Sequence, residues 1–213
     1  MKSRRNLLKR SCLYLILDKP GIAGRSLDSL CSEILAGGIS MVQLRDKISA
    51  KPDILKTALT LVRRLRASKT LFIVNDYLDV AVLAKADGLH LGQADLPLKK
   101  ARSILGKDKI IGISCHNLRQ ALKAQKEGAD YIGIGPVYAT VTKPGYRPIG
   151  INVLKRLKGK IKIPYFAIGN INKGNIRKIV SAGASRIAVS RAILNSGNIV
   201  RPAKELLVEL NIK

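Results

Sequence analysis

The sequence predicts an α/β fold, and within that class a single (β/α)8 barrel (a TIM barrel). Eight short apolar runs alternate with segments of helical spacing along the 213-residue chain. Four similar helix-to-strand junctions recur roughly every 40–55 residues, the length of two βα units. A doubly wound sheet would also alternate but would not need eight similar units. No linker divides the chain, so we expect one domain over residues 1–213, with 1–12 as a basic N-terminal extension or a preceding helix.

The predicted strands are short and rich in Ile, Val, Leu and Tyr. In chain order they are LYLIL (13–17), MVQL (41–44), LFIV (71–74), GLHL (88–91), IIGIS (110–114), YIGIG (131–135), YFAIG (165–169) and RIAVS (186–190). In such barrels the active site forms at the carboxyl ends of the strands. Polar residues that directly follow these strands are therefore the candidates for function.

Two of the predicted helices carry clear end signals. Asn117 with Gln120 is typical of a capping box, and Gly128 would end the helix that they begin. Asn172 and Gly183 bracket a second helix in the same way. These signals place one helix between strands five and six and another between strands seven and eight.

The chain is strongly basic, with 39 Lys and Arg against 14 Asp and Glu and a formal charge of +25. Such a charge can indicate nucleic-acid binding. The basic residues are scattered, however, and aromatic residues, which stack on single strands, make up only 4%. We therefore interpret the charge as solvated helix faces and a field that attracts phosphorylated substrates, with no specific nucleic-acid partner.

The sequence indicates a cytoplasmic protein without a membrane anchor. No apolar run approaches the roughly 18 residues that cross a bilayer, and the basic start lacks the apolar core of a signal peptide. Cys12, Cys31 and Cys115 are odd in number and widely spaced, which fits a reducing compartment and neither a disulfide framework nor a metal cluster. The oligomeric state stays open, and a homo-oligomer is compatible with the sequence.

Two aspartates follow neighbouring predicted strands. Asn75 and Asp76 come after the third strand, and Gln93 and Asp95 come after the fourth. Mg²⁺ prefers oxygen ligands and is commonly held by one or two carboxylates together with substrate phosphates. Both aspartates are equally well explained as helix N-caps, Asp95 especially because it lies two residues before Pro97. The spacing alone leaves both interpretations open.

The second predicted strand ends in the residues VQLRDK. Gln43, Arg45 and Lys47 alternate within this segment and would share one side of an extended chain. In a barrel this would bring polar donors together near the mouth. An ordinary solvated strand end gives the same pattern, so the motif alone is weak.

The longest predicted loop follows the sixth strand and is rich in Gly and Pro. Its Thr140, Thr142 and Lys143 offer two hydroxyl groups and a cation, which suit a phosphate group. Loops after strands seven and eight commonly hold a phosphate in such barrels, and Gly169 and Ser190 are placed for this. Ordinary turn and cap chemistry is the alternative for both residues.

The two histidines have different surroundings in the sequence. His90 lies inside a strand, where a hydrogen-bonded interior residue is more common than a catalyst. His116 follows a strand end and is a candidate for proton transfer. Cys115 has no partner pattern, and we interpret it as a packing residue.

As a set, these motifs resemble one family, thiamine phosphate synthase. The segments VQLRDK, VNDYLDVA, ADGLHLGQADLP, GISCH, GADYIGIGPVYATVTKPG and AIGNI occur in the family's order, and the resemblance runs from YLILD to AVSRAI. Each segment alone is weak, but the set is highly specific. The resemblance implies a (β/α)8-barrel transferase that joins hydroxymethylpyrimidine pyrophosphate to thiazole phosphate and releases pyrophosphate.

The resemblance also implies roles for particular residues. The pyrimidine and its pyrophosphate would be held by Gln43, Leu44, Arg45, Asp46, Lys47, Asn75, Ser114 and Lys143. The thiazole phosphate would be held by Thr140, Val141, Thr142, Gly169, Val189 and Ser190, with Val189 acting through its backbone. The Mg²⁺ ligands would be Asp76 and Asp95, and the catalytic residues Arg45, Ser114 and Lys143. The implied mechanism is dissociative: pyrophosphate leaves, and the thiazole nitrogen captures a pyrimidine methyl cation.

The sequence departs from the family at two positions. Asn170 stands where a second glycine is usual, and it would crowd the phosphate or need a positive φ angle, which Asn tolerates better than most residues. Leu17 stands where Thr is common. The closest rival enzyme is a thiazole tautomerase, which has no use for the two aspartates or Lys143. The rival from another class is a basic nucleic-acid-binding protein on an inactive barrel.

Overall fold

The structure is a computed structural model that describes residues 4–140 and 145–211. Each of its eight parallel strands pairs with its neighbour in the chain, and the last strand closes the barrel against the first. The strands are β1 Leu13–Asp18, β2 Met41–Arg45, β3 Leu71–Asn75, β4 Gly88–Leu91, β5 Ile110–Cys115, β6 Tyr131–Ile134, β7 Tyr165–Ile168 and β8 Ile187–Val189. The predicted (β/α)8 barrel is confirmed, with all eight predicted strands present.

Helices surround the barrel and connect its strands. They are α1 Arg4–Arg10, α2 Lys19–Ile22, α3 Leu27–Ala36, α4 Lys51–Leu65, α5 Leu78–Leu83, α6 Leu98–Leu105, α7 Leu118–Lys126, α8 Asn152–Leu157, α9 Ile176–Ser181, α10 Arg191–Leu194 and α11 Val200–Asn211. None of these described helices has the length and apolar character that a bilayer crossing requires.

Helix α7 has nearly the end residues that were predicted, whereas α9 begins later than predicted. The Asn117 side chain accepts the backbone N–H of Gln120 at 2.9 Å, as an N-cap does. The Gln120 side chain reaches back to the N–H of His116, one residue before the capping-box position. The prediction that Asn172 begins α9 is wrong, because its side chain accepts a backbone N–H two residues on and closes a turn first. The N-cap position of α9 belongs to Asn175.

Side chains that alternate along the strands form two separate cores. Outward-facing residues such as Val42, Leu89 and Ile111 pack beneath the helices in one large cluster. Inward-facing residues form a smaller cluster inside the barrel, made of Leu8, Tyr14, Ile16, Met41, Leu71, Ile73, Ile110, Tyr131, Phe166 and Ala188. The apolar cluster fills the lower part of the barrel, so the polar inward-facing residues lie above it.

Three aromatic rings fill the middle of the barrel interior. Tyr14, Tyr131 and Phe166 meet edge to face, with ring centroids 5.2–5.9 Å apart. Gly112 on β5 makes room for them, because a Cβ atom there would lie 2.0 Å from the ring of Tyr131. The glycine is therefore required by close packing rather than by a turn.

The basic N-terminal segment contributes a helix that closes the amino end of the barrel. Leu8 of α1 is 2% exposed and packs into the interior cluster. Arg4 Nε donates to Asp87 Oδ1 at 2.7 Å, and Arg5 Nε donates to Asp130 Oδ1 at 2.8 Å. Because both aspartates lie just before strands, these ion pairs fix α1 opposite the carboxyl ends where polar residues collect.

Candidate active site

A cavity of about 350 Å³ opens at the carboxyl end of the barrel. It collects side chains from the ends of β2 to β5 and from the segment that follows β6. Among the described residues its walls are formed by Arg45, Lys47, Asn75, Asp76, Gly92, Gln93, Ala94, Asp95, Ser114, Gly145 and Tyr146. Polar residues predicted after strands two to five therefore meet in one place, as expected for this fold.

Two carboxylates and one ammonium group meet on one side of the cavity. Lys47 Nζ lies 2.5 Å from Asp76 Oδ2. Burial raises the pKa of Asp76 above its ordinary value, and the nearby side chain of Asp95 raises it further, while Lys47 opposes both effects. The bond to Asp76 in turn raises the pKa of Lys47. The two carboxylates therefore disfavour each other's ionised form in a partly buried site.

Neither aspartate is a helix N-cap. The N-cap position of α5 belongs to Tyr77 and that of α6 to Pro97. Asp76 has a left-handed backbone conformation with a φ of 61°. Asp95 Oδ2 accepts the backbone N–H of Gly92 at 2.6 Å and thereby shapes the loop after β4. The cap interpretation is wrong for both residues, and their carboxylates line the cavity instead.

The donor set fits a hard divalent cation. Asp76 and Asp95 offer carboxylate oxygens, which Mg²⁺ prefers, and their mutual repulsion is the kind that a bound cation relieves. Within residues 4–140 and 145–211, no cluster of three or more His, Cys, Asp or Glu side chains could hold a metal ion. The described residues therefore suit an ion that is shared with a substrate rather than one enclosed by protein.

Arg45 stands at the end of β2 and lines the same cavity as the carboxylate pair. Its Nε atom is buried and has no hydrogen-bond partner among the described residues. A buried donor without an acceptor is unfavourable, and more so when the group is charged. In this cavity the Arg45 guanidinium offers a positive charge to an anionic ligand.

The other residues of the VQLRDK segment have different surroundings. Leu44 is buried in the outer core, so its side chain faces away from the cavity. Asp46 is also buried, and its Oδ1 atom accepts the backbone N–H groups of Ile48 and Ser49, both at 2.9 Å. Asp46 thus shapes the loop that carries Lys47.

Asn75 and Ser114 line the cavity from the ends of β3 and β5. Ser114 Oγ lies 2.9 Å from His90 Nε2, and Gln93 Nε2 donates to the carbonyl oxygen of Ser114 at 2.6 Å. His90 Nδ1 lies 2.9 Å from the hydroxyl oxygen of Tyr131. His90 is therefore a hydrogen-bonded interior residue, as predicted.

Three of the residues predicted to hold the thiazole phosphate lie at the ends of β7 and β8, next to β1 in the closed barrel. Gly169 has a φ of 115° directly after β7. Val189 packs its side chain into the outer core, so only its backbone is available to a ligand. Ser190 is the N-cap residue of α10, and its Oγ donates to Asp18 Oδ1 at 2.6 Å. Asp18 itself was not predicted as a site residue.

The long loop after β6 is described only in part. Its two ends are joined by backbone hydrogen bonds from Ile149 to Pro136 at 2.8 Å and from Gly150 to Val137 at 3.2 Å. Thr140 is half-buried at the edge of the described segment. The remaining predicted site residues of this loop, which are Val141, Thr142 and Lys143, lie outside the described residues.

Asn170 adopts the positive φ angle that its position requires, at 49°. Its side chain is exposed, and its carbonyl oxygen accepts hydrogen bonds from the side chains of Asn172 at 3.2 Å and Asn175 at 2.9 Å. The asparagine thus replaces the family's second glycine without forcing a side chain into the core.

Sequence reasoning missed Tyr146, which lines the cavity and whose ring stacks on His116 with centroids 4.5 Å apart. His116 Nδ1 lies 2.5 Å from the carbonyl oxygen of Gly135 and donates to it. His116 itself is not among the described cavity residues. An aromatic residue in a Gly- and Pro-rich loop after a barrel strand is the signal that could have identified Tyr146.

Fold and cavity together define a (β/α)8-barrel enzyme with a charged active site. Residues 13–193 match the family model of thiamine monophosphate synthase. The thiamine-phosphate synthase of Clostridium acetobutylicum is 40% identical over 192 residues, covering 90% of this chain and 91% of the relative. That of Syntrophomonas wolfei is 44% identical over 195 residues, covering 91% and 93%.

A solved structure of a protein with a related name is also similar to this chain. The thiamine phosphate pyrophosphorylase from Pyrococcus furiosus has a TM-score of 0.85 and 34% sequence identity, and the alignment covers 97% of this chain and 96% of that one. The chain belongs to the thiamine monophosphate synthase family. It is a transferase.

Proposed function

We propose that the protein joins hydroxymethylpyrimidine pyrophosphate to thiazole phosphate in a Mg²⁺-assisted, dissociative reaction that yields thiamine phosphate and pyrophosphate. The observation that carries this proposal is the group formed by Lys47, Asp76 and Asp95 in the cavity that Arg45 also lines. Among the described residues the Arg45 Nε atom has no hydrogen-bond partner. This arrangement brings carboxylate oxygens and cationic donors around one cavity. A departing pyrophosphate needs both, because negative charge accumulates on its oxygens.

The roles of the residues follow from their positions. Arg45 and Lys47 bind the pyrophosphate and donate hydrogen bonds to the oxygens on which charge develops. Ser114 and Asn75 orient the pyrimidine end of the same substrate. Asp76 and Asp95 would hold Mg²⁺, which would neutralise charge on the leaving group. Lys143, outside the described residues, is proposed as a third cation.

A dissociative reaction needs no covalent enzyme intermediate. Neither Cys nor His is among the described residues that line the cavity. Burial raises the pKa of the nearby Cys115 thiol to about 12, so this residue is a poor nucleophile at neutral pH. These observations support positioning and charge stabilisation as the contributions of the protein.

The thiazole phosphate is proposed to bind between the loops after β7 and β8. Gly169 and Val189 would offer backbone groups, and Ser190 would offer its hydroxyl group. Their places at the carboxyl ends of strands seven and eight support this, since phosphates commonly bind there in such barrels. Thr140, Val141 and Thr142 are proposed to complete the site from the loop after β6.

We also propose a cytoplasmic location without a specific nucleic-acid partner. The three described cysteines are free thiols, which suits a reducing compartment. Binding of DNA to the basic surface should be non-specific and should weaken steeply as salt is raised. Retention of one DNA sequence at high salt would contradict this part of the proposal.

One assay tests the reaction directly. The purified protein is mixed with both substrates and Mg²⁺, and thiamine phosphate and pyrophosphate are measured. We expect equal amounts of the two products, and no product when either substrate is left out or EDTA is added. If the protein instead isomerises the thiazole alone, without using the pyrimidine pyrophosphate, the tautomerase alternative is correct.

A further inference from the structure

A continuous chain of hydrogen bonds crosses the barrel interior beneath the cavity. It runs from Gln43 on β2 through Tyr14, Tyr131 and His90 to Ser114 on β5. The Gln43 Nε2–Tyr14 Oη distance is 2.5 Å, and the Tyr14 Oη–Tyr131 Oη, Tyr131 Oη–His90 Nδ1 and His90 Nε2–Ser114 Oγ distances are each 2.9 Å. All five residues are buried. The two ends of the chain are residues to which the family resemblance assigns the pyrimidine.

The direction of this chain follows from the orientation of the Gln43 amide, which turns Nε2 towards Tyr14. An amide nitrogen can only donate, so Tyr14 Oη accepts from Gln43 and must pass its own proton to Tyr131. Tyr131 in turn donates to His90 Nδ1, which must carry a lone pair. Because Nδ1 carries a lone pair, the ring proton lies on Nε2 and is donated to Ser114 Oγ.

With Gln43 in this orientation, the opposite tautomer of His90 would leave a buried proton unpaired. If His90 Nδ1 carried the proton, Tyr131 Oη would accept from both sides, and its own proton would point into the aromatic core beside Phe166. Burial raises the pKa values of Tyr14 and Tyr131 well above the ordinary range, so each hydroxyl group keeps its proton. Each tyrosine thus accepts one hydrogen bond and donates one.

We propose that Tyr14, Tyr131 and His90 are positioning residues. They determine which atoms of Gln43 and Ser114 accept a hydrogen bond from the substrate and which donate one. Gln43 is held with its Nε2 turned to Tyr14, which leaves Oε1 as an acceptor; among the described residues no hydrogen bond to Oε1 exists. Ser114 accepts from His90, which leaves its hydroxyl proton to donate into the cavity.

The same polarity excludes a plausible alternative use of Ser114. A serine hydroxyl 2.9 Å from a histidine nitrogen resembles a nucleophile with its general base. With the proton on Nε2, His90 donates to Ser114 and cannot take its proton. Ser114 is therefore a hydrogen-bond donor to substrate and not an activated nucleophile.

Nitrogen NMR tests the polarity without using activity. The sequence contains only two histidines, so protein with ¹⁵N-labelled imidazoles gives two ring systems, which His116→Asn assigns. We expect His90 to be protonated at Nε2 alone. His116 is an internal reference for a protonated Nδ1, because its Nδ1 donates to Gly135. A His90 ring protonated at Nδ1, or at both nitrogens, would overturn the inference.

A matched pair of variants tests the positioning role. Tyr131→Phe removes one hydroxyl group from the chain, and Ile73→Val removes one methyl group from the same interior cluster. We expect Tyr131→Phe to raise the KM for the pyrimidine pyrophosphate about tenfold and to leave the KM for thiazole phosphate within about twofold. Ile73→Val should change neither value. Equal KM values in the two variants would contradict positioning, and Tyr14→Phe replaces Tyr131→Phe if the latter does not fold.

Only the identity of the ligand in this inference rests on the proposed function. A wild-type protein that makes no thiamine phosphate would defeat the proposed function, while the histidine spectrum would still decide the polarity of the chain. A wild-type protein that is active but has His90 protonated at Nδ1 would defeat the inference alone.

Discussion

The ammonium group of Lys47 lies 2.5 Å from one carboxylate oxygen of Asp76, which also closely approaches Asp95. One side-chain cation is thus shared by a carboxylate pair whose ionised forms disfavour each other. Lys47 offsets this repulsion only in part, since the pKa of Asp76 stays raised. We expect a divalent cation to complete the neutralisation and to leave Lys47 available to the substrate pyrophosphate.

Asp95→Asn should fold normally and lose most activity. Asn is nearly the same size, and its side-chain oxygen can still accept the Gly92 N–H that Asp95 accepts at 2.6 Å. It lacks the charge that holds Mg²⁺, so we expect turnover to fall on the order of 100-fold or more. Steady-state kinetics at several Mg²⁺ concentrations measures this, and high Mg²⁺ should restore part of the activity.

The control for Asp95→Asn is Asp108→Asn, which removes the same charge from an exposed residue before β5, at the opposite end of the barrel. We expect its turnover to match that of the wild type. Near-full turnover of Asp95→Asn at limiting Mg²⁺ would show that Asp95 only shapes its loop.

Asp76→Asn should raise thermal stability in the absence of divalent cations. The backbone is no obstacle, because Asn tolerates the φ of 61° as well as Asp does. Loss of the carboxylate repulsion should raise the melting temperature at pH 7 by about 2–4 °C, the shift that ~1 kcal/mol produces in a chain of this size. Scanning calorimetry with and without Mg²⁺ should show that the metal stabilises the wild type and not the variant. A variant as responsive to Mg²⁺ as Asp108→Asn would argue against Asp76 as a ligand.

The stability gained by Asp76→Asn should depend on pH. The pKa of Asp76 in the folded protein lies above its ordinary value of 3.8, so the folded state binds the proton more tightly than the unfolded chain does. The ionised carboxylate of the wild type lowers the unfolding free energy by its full amount above the pKa that Asp76 has in the folded protein. This destabilisation disappears as the pH falls to 3.8. We therefore expect the two unfolding free energies to converge on acidification, which urea titrations across this range can measure. A difference that grows with acidification would contradict the raised pKa.

Gly169→Ala should destabilise the protein by about 2–4 kcal/mol. A Cβ atom at this position would lie 2.6 Å from Pro136 Cα, and the φ of 115° is one that L-residues rarely adopt. Gly197→Ala is the control, because a Cβ atom there meets nothing within 4 Å. Urea denaturation compares the two, and an equal unfolding free energy for both variants would show that Gly169 is not constrained.

Asn170→Gly should leave thiazole phosphate binding unchanged. The Asn170 side chain is exposed and already tolerates its positive φ angle, so restoring the family's glycine removes no steric conflict. We expect the KM for thiazole phosphate to stay within about twofold of the wild type. A tenfold lower KM in the variant would show that Asn170 obstructs the phosphate.

Leu8→Ala should destabilise the protein by about 2–5 kcal/mol, the usual effect of truncating a buried leucine. Leu8 is 2% exposed and closes the amino end of the barrel interior. Ile104→Ala, at a position that is 60% exposed, should have a far smaller effect in the same denaturation experiment. Equal losses would mean that α1 contributes little to the fold.

The sequence by itself determined the order and type of the strands. A run such as GLHL is buried on both faces, because parallel barrel strands pack against helices outside and against one another inside, and this leaves a short apolar signature. The polar residues directly after each run, such as Asp76 and Asp95, had to lie at one end of the barrel for the same reason. The ordered set of motifs then identified the family.

Tertiary structure decided what spacing left open. Whether Asp76 and Asp95 cap helices or face a cavity depends on a positive φ angle and on one hydrogen bond to Gly92, and neither has a local sequence signal. The chain that links Tyr14, Tyr131 and His90 joins three strands distant in sequence. In the sequence these residues look like ordinary strand residues, and only barrel closure brings their polar atoms within 2.9 Å of one another. Such long-range contacts depend on strand register rather than on local propensity.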